Sequence, residues 1–198
     1  MKFVLATHNP NKIREMGAIL SQFSVEVVSP RDLGITVDVE ETGVTFAENA
    51  MLKAKAICEL AKLPAIADDS GLCVDALNGG PGVYSARFGG EGLDDKGRYT
   101  LLLEMLRGQT DRAAHFHTSI VCAFPNGDEL VCEGECPGTI AFAPMGEGGF
   151  GYDPVFFVPE LRKTFGQLTA EEKASVSHRG KALRAFAAAL DDYLKGNE

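Results

Sequence analysis

The chain has 198 residues, a formal net charge of −9, and a composition of 45% hydrophobic and 24% charged residues. This length and composition predict a globular protein with one domain or two small lobes, and the acidic balance argues against a protein that binds nucleic acid through a basic face. No apolar stretch approaches the roughly 18 residues of a membrane span, and the first five residues are too short for a signal peptide, so we expect a cytoplasmic protein with no membrane partner.

The first predicted strand leads into a polar loop and then into a helix whose apolar face contains Ile13, Met16 and Leu20. The loop consists of Thr7, His8, Asn9, Pro10, Asn11 and Lys12. A helix N-terminus offers free backbone N–H groups and a positive dipole end, so the loop is a candidate anion site to which Lys12 adds a charge. The alternative is a plain helix cap by Asn9 or Asn11 with Lys12 in solvent.

An acidic stretch, Glu40-Glu41-Thr42-Gly43, follows a predicted strand at residues 25–28 and precedes a predicted helix at about residues 45–61. Thr45 and Glu48 fit a capping box for that helix, whereas Glu40 and Glu41 lie outside the box. Lys53 lies one helical turn past Asn49, and a solvated lysine is the alternative to a functional one at this position.

The central stretch of the chain is Ala67-Asp68-Asp69-Ser70-Gly71-Leu72. We expect a buried strand that ends at the two acids, with a sharp turn that Gly71 permits. Successive side chains of an extended chain point to opposite faces, so one of Asp68 and Asp69 can serve the turn while the other faces a cleft. The alternative is an aspartate that only caps a turn through its own backbone.

A glycine-rich segment and a helix at residues 94–106 come next, and from residue 113 the pattern is that of β-strands. Strands at residues 116–124 and 129–135 are predicted to form a hairpin, because Asn126-Gly127 between them tolerates positive φ. Residues 139–143 are a further candidate strand. We expect one domain, residues 1–198, with an α/β body and a hairpin-rich second lobe at about residues 113–145. A cleft between two lobes is a usual place for a ligand.

Two motifs near the C-terminus combine glycine, aromatic and basic residues. In Gly148-Gly149-Phe150-Gly151-Tyr152-Asp153-Pro154, glycine lets the backbone approach a ligand, and Phe150 or Tyr152 can stack on a flat ring. The alternative is a tight connection whose aromatic residues are anchored in the core.

The last predicted helix begins at Ser177-His178-Arg179-Gly180, after a shorter helix that a capping box opens at Thr169. Its first turn places His178, Arg179 and Lys181 at the positive end of the helix dipole, a mismatch that a bound anion would relieve. Lys173 can join this basic group. The alternative is a basic turn exposed to solvent.

These five motifs, in this order, resemble those of the inosine triphosphate pyrophosphatase family, also called Ham1-like proteins, over nearly the whole chain. The resemblance implies a two-lobed mixed α/β fold with a long central mixed sheet flanked by helices, and a homodimer. It also implies that non-standard purine nucleoside triphosphates (dITP, ITP and XTP) are hydrolysed with Mg²⁺ to the monophosphate and pyrophosphate, which cleanses the nucleotide pool. His8 and Asn11 stand where many relatives have glycine.

The resemblance further implies a role for each matching residue. Phosphate contacts fall to Thr7, His8, Asn9, Pro10, Asn11, Lys12 and Lys53. Glu40 or Glu41, with Asp69, would hold Mg²⁺, Asp68 would be an outer metal ligand, and Asp69 would accept a proton. The rest of the nucleotide site would comprise Ser70, Phe150, Gly151, Tyr152, Asp153, Lys173, His178 and Arg179. The aromatic residues and the residues closest to the C-terminus would lie nearest the base.

Cleavage between the α and β phosphates fits these residue types. The reaction needs a metal on oxygen ligands and several cations, because a tetra-anion must be neutralised and pyrophosphate must depart. A keto group at purine position six accepts hydrogen bonds where adenine donates them, so donors such as His178 and Arg179 favour hypoxanthine and xanthine. Two alternatives stay open: a metal-dependent phosphatase that releases orthophosphate, and a sensor that binds nucleotide without turnover.

Overall fold

The computed structural model describes residues 2–21 and 25–196, so the two ends of the predicted domain lie outside the described residues. The α-helices are α1 (Pro10–Leu20), α2 (Phe46–Ala61), α3 (Asp95–Met105), α4 (Ala170–Val176) and α5 (His178–Gly196). The strands are β1 (Lys2–Leu5), β2 (Glu26–Val28), β3 (Ala65–Val74), β4 (Ala113–Ala123), β5 (Glu129–Ile140), β6 (Phe156–Val158) and β7 (Lys163–Thr164). Within the described ranges, no helix is both long and apolar enough to span a bilayer.

The strands form one mixed sheet in the order β2-β1-β3-β4-β5-β6-β7. Strand β1 pairs in parallel with β2 and β3, and β6 pairs antiparallel with β5 and β7. Among the described residues, a seven-stranded mixed sheet and five α-helices confirm the predicted α/β class.

The chain divides into two compact units, which we describe separately. The first unit comprises Met1–Asp69, Thr118–Gly134 and Arg179–Glu198, and the second comprises Ser70–His117 and Glu135–His178. Strands β3, β4 and β5 each contribute residues to both units. Two predicted motifs are therefore divided, since Asp69 and Arg179 belong to the first unit and their chain neighbours Ser70 and His178 to the second.

In the first unit, helix α2 packs its apolar stripe into a core with strands β1, β3 and β4. Ala50, Ala54 and Ile57 of the helix share this core with Val4 and Ala67 of the strands. The predicted capping box is present, because Thr45 accepts from the Glu48 N–H and Glu48 accepts from the Thr45 N–H. The cap and the stripe together fix where α2 begins and which face it buries.

The turn of the predicted hairpin, at Asn126-Gly127, also lies in the first unit. The Phe124 N–H donates to the Asp128 carbonyl at 2.9 Å, and Gly127 has a φ of 93°. In the second unit, a separate core contains Phe116, Phe156 and Phe165.

Three predicted boundaries are wrong. Strand β3 does not turn at Gly71 but continues to Val74, because Leu72 and Val74 are core residues and the strand has neighbours on both sides. Thr139 is not part of a separate strand, since it continues β5 and pairs with Phe157. Helix α1 begins at Pro10 rather than Ile13, which suits a proline in the first turn.

Candidate active site

The N-terminus of α1 is capped by Asn9, whose Oδ1 accepts from the backbone N–H groups of Asn11 at 2.9 Å and Lys12 at 3.4 Å. The Asn9 N–H in turn donates to Thr7 Oγ1 at 3.2 Å, and His8 Nε2 donates to the Val37 carbonyl at 3.2 Å. The capping alternative is therefore correct for Asn9. Because the backbone N–H groups of Asn11 and Lys12 are hydrogen-bonded to Asn9, the charge of Lys12 is the main feature that this segment offers to an anion.

Lys12 does not extend into solvent, so that part of the alternative is wrong. Its side chain is 15% exposed, and its Nζ lies 3.1 Å from Oδ1 of Asp68. The other oxygen of Asp68, Oδ2, accepts from Arg179 Nη2 at 3.1 Å and Nε at 3.3 Å. Arg179 Nη1 also donates to Glu15 at 2.5 Å. Asp68 thus forms ion pairs with two cations.

The environment of Asp68 keeps its carboxylate ionised. Burial by itself would raise the pKa of Asp68, but the charges of Lys12, Arg179 and Lys53 outweigh burial and hold this pKa well below its usual value. The same burial lowers the pKa of Lys12, and the neighbouring charges of Lys53 and Arg179 act in the same direction against the attraction of Asp68.

Asp69 has different side-chain partners from Asp68. Its Oδ2 accepts from Asn49 Nδ2 at 3.2 Å, and its Oδ1 lies 3.5 Å from Lys53 Nζ. Burial raises the pKa of Asp69 and Glu41 adds to the rise, while Lys53 and Lys12 oppose it. A carboxylate with a raised pKa is a stronger base than a solvated one.

Lys53 links the acidic loop to both aspartates. Its Nζ donates to Glu41 Oε1 at 2.7 Å and to the Asp68 carbonyl at 2.9 Å, in addition to its approach to Asp69. Burial lowers the pKa of Lys53, but Asp69, Asp68 and Glu41 raise it above the usual value. The solvated-lysine alternative is therefore wrong. Glu40, by contrast, is exposed.

The residues that could hold a metal are those that converge on the Lys53 ammonium. Glu41 and Asp69 both place a carboxylate oxygen against this cation, and hard oxygens are the ligands that Mg²⁺ prefers. Among the described residues, no group of three or more His, Cys, Asp and Glu could hold a metal by itself. Two carboxylates still fit Mg²⁺, because this ion is usually held by one or two of them together with water and substrate phosphates.

In the second unit, Asp153 joins the glycine-rich motif to α4. Its Oδ2 accepts from the Phe150 N–H at 2.8 Å and from Lys173 Nζ at 2.6 Å. Lys173 Nζ also lies 4.8 Å from the centre of the Phe150 ring. Gly149 has a φ of 77°, and a Cβ there would stand 1.9 Å from Asp153 Oδ2, so only glycine allows this approach.

The other predicted residues of the second unit differ in exposure. His178 is buried and stacks on Phe116 with ring centres 4.6 Å apart. Tyr152 is buried in the core and donates to the Ser85 carbonyl at 2.8 Å, so the core-anchor alternative is correct for this residue. Phe150 and Ser70 are half-buried. The Gly151 N–H donates to Asp95 Oδ2 at 2.7 Å.

Three residues that contact the predicted site of the first unit were not predicted from the sequence. Glu15 pairs with Arg179, Asn49 donates to Asp69, and Thr118 Oγ1 donates to the Asp69 carbonyl at 3.1 Å. Asn49 carried a usable signal, because a polar residue next to the alanine-rich stripe of a buried helix face requires a partner.

Comparison with known proteins gives matches over nearly the full chain. The model of the Ham1 family covers residues 3–189. Relatives named dITP/XTP pyrophosphatase are 48% identical in Exiguobacterium sp., over 99% of this chain and 100% of the relative, and 50% identical in Escherichia coli, over 96% and 98%. Among solved structures, the Staphylococcus aureus Ham1 protein has a TM-score of 0.88 at 42% identity with complete coverage of both chains. A Coxiella burnetii HAM1 protein has a TM-score of 0.89 at 40% identity over 97% and 99%.

Proposed function

Because this chain belongs to the Ham1 family, we propose that it hydrolyses non-standard purine nucleoside triphosphates (dITP, ITP and XTP) to the monophosphate and pyrophosphate. The observation that carries this proposal is the convergence of Lys12, Lys53 and Arg179 on the carboxylates of Asp68 and Asp69. Several buried cations beside a carboxylate base suit phosphoryl chemistry. In the cytoplasm this activity would remove these nucleotides before they enter DNA or RNA.

For the metal, we propose Mg²⁺ held by Glu41 and Asp69, with further oxygens from the substrate. When bound, Mg²⁺ would neutralise phosphate charge and lower the pKa of a bound water. The position of Glu41 against Lys53 supports Glu41 over the exposed Glu40. Asp68 is less suited to the metal, because its two oxygens already contact Lys12 and Arg179.

For the reacting groups, we propose that Asp69 accepts a proton from the attacking water. Burial raises its pKa, which makes its carboxylate a stronger base for this step. We propose that Asp68 orients Lys12 and Arg179 toward the phosphates, since an ionised acceptor holds both cations in place. Thr7, His8, Asn9, Pro10 and Asn11 are proposed as further phosphate contacts on the basis of the resemblance.

For the nucleoside part of the substrate, we propose the residues of the second unit. Lys173 and Asp153 stabilise the backbone at Phe150, whose half-buried ring can stack on a purine. Ser70 and Gly151 complete this group. His178 is proposed to donate to the keto group at purine position six. Arg179 is directed to Asp68 and Glu15, which supports a role at the phosphates rather than at the base.

The test is to incubate the purified protein and Mg²⁺ with dITP, XTP, dGTP and dATP, and to measure pyrophosphate and orthophosphate separately. We expect pyrophosphate in equal amount with the monophosphate, kcat/KM for dITP and XTP at least about 10-fold above dATP, and no turnover when EDTA removes the metal. Orthophosphate as the product would instead support the phosphatase alternative, and binding without turnover would support a nucleotide sensor. Analytical ultracentrifugation tests the proposed homodimer.

A further inference from the structure

We propose that Asn49 is a positioning residue. The two ends of its side-chain amide hold the loop at residues 40–43, which carries Glu41, and Asp69 in one arrangement. This inference rests on the proposed function, because it requires Glu41 and Asp69 to take part in the reaction. Asn49 is fully buried in the first turn of α2, the helix that also carries Lys53.

The hydrogen bonds of Asn49 determine the orientation of its amide. Oδ1 accepts from the Gly43 N–H at 2.8 Å, and Nδ2 donates to Asp69 Oδ2 at 3.2 Å. Only the amide oxygen can accept from an N–H, so the NH₂ group must face Asp69. Oδ2 of Asp69 is therefore held as an acceptor, and Oδ1 is directed to Lys53.

Gly43 shows how closely the loop approaches Asn49. A Cβ on Gly43 would lie 2.7 Å from Asn49 Oδ1 and 2.7 Å from the Cβ of Glu48, closer than packed atoms allow. A glycine at this position therefore lets the loop backbone reach the amide. Gly43 lies two residues after Glu41, so a loop held at Gly43 limits where the Glu41 carboxylate can lie.

Asn49 and Lys53 are four residues apart on α2 and so share one face of the helix. Each links the loop to Asp69: Lys53 contacts the carboxylates of Glu41 and Asp69, and Asn49 contacts Gly43 and Asp69. The two links respond differently to a cation at these carboxylates. A cation there would repel the full charge of the Lys53 ammonium, whereas it would oppose the uncharged amide of Asn49 less strongly. Asn49 is thus the link that a bound cation would disturb less.

Asn49→Asp separates the two contacts, because it keeps the acceptor for the Gly43 N–H and puts an oxygen in place of the donor to Asp69. We expect kcat for dITP to fall at least about 100-fold with KM within about 3-fold of wild type, since small misplacements of a catalytic group cost about this much. The matched control is Thr45→Ala, which removes the exposed cap of the same helix and has no contact with Asp69. This control is expected to lower Tm and leave kcat within about 2-fold, as helix caps contribute mainly to stability.

The double variant Asn49→Asp with Asp69→Asn supplies a readout that does not depend on activity. It restores the hydrogen bond with donor and acceptor exchanged, so Tm of the metal-free protein is expected to exceed that of Asn49→Asp while activity stays lost. If Asn49→Asp does not fold, Gly43→Ala forces the loop away from Asn49 and is expected to lower kcat at least about 10-fold by the same misplacement.

The proposal is overturned if Asn49→Asp keeps kcat within about 3-fold of wild type, since catalytic geometry would then not depend on Asn49. It is also overturned if Thr45→Ala loses as much Tm as Asn49→Asp and lowers kcat by the same factor. It is also overturned if the double variant does not recover Tm, or if Gly43→Ala leaves kcat within about 2-fold. A wild-type protein that turns over no triphosphate would overturn the proposed function instead, and the two failures are thereby distinguished.

Discussion

Asp68 and Arg179 lie 111 residues apart in the chain, yet Arg179 donates to Oδ2 of Asp68 from both Nε and Nη2. The side chain of Asp68 is 0% exposed and that of Arg179 is 3% exposed. Removal of one member of a buried ion pair leaves the other charge without compensation. This pair therefore couples strand β3 to the start of α5 in stability as well as in the proposed site.

Arg179→Met is expected to lower the free energy of unfolding by about 3–5 kcal/mol, because Asp68 then keeps a buried charge with one cation fewer. Urea denaturation of the ligand-free protein, monitored by circular dichroism, measures this loss of unfolding free energy. The matched control is Lys195→Met, which breaks an exposed pair with Asp191 on the same helix and is expected to leave the free energy of unfolding nearly unchanged. Equal effects of the two substitutions would contradict the prediction.

The pH dependence of stability is expected to differ for the two neighbouring aspartates. The pKa of Asp68 is lowered from 3.8, so its contribution is present above that value and is lost as pH falls below it. The pKa of Asp69 is raised, so its contribution has the opposite sign and is lost as pH rises through the raised pKa. On acidification, Asp69→Asn should steepen the loss of unfolding free energy above about pH 3.8, and Asp68→Asn should flatten it below about pH 3.8. Parallel curves for wild type and both variants would refute this assignment.

Asp69→Asn is expected to lower kcat at least about 100-fold, because an amide cannot accept the proton of the attacking water. The side chain keeps its shape, so the circular dichroism spectrum should match that of the wild type. Asp191→Asn, at an exposed position of α5, serves as the control and should keep wild-type turnover. Near wild-type kcat in Asp69→Asn would remove this residue from the mechanism.

His178→Ala is expected to narrow the preference for dITP over dATP at least about 5-fold in kcat/KM, since one lost hydrogen bond costs about 1–3 kcal/mol. His117→Ala is the matched histidine control, because His117 pairs with Glu135 and is not part of the proposed site. Its ratio of kcat/KM values should equal that of the wild type. An unchanged ratio in His178→Ala would show that the base is recognised elsewhere.

Features that depend on a few neighbouring residues were predictable from the sequence. The capping box of Thr45 and Glu48 and the turn at Asn126-Gly127 are both present, because their hydrogen bonds span only three or four residues. The α/β class followed from the alternation of strand and helix patterns and from the family resemblance. The end of β3 was not predictable, because the partners that extend this strand past Gly71 are distant in sequence.

The sequence by itself determined that two adjacent acids of an extended strand, Asp68 and Asp69, must face opposite sides, and it identified the basic residues available to them. Only the tertiary structure decided which partner each acid has. Asp68 contacts Lys12 and Arg179, whereas Asp69 contacts Asn49 and Lys53. The physical reason is that spacing rules for helices and strands reach about four residues along the chain, whereas these contacts join segments that meet only when the sheet and its helices pack.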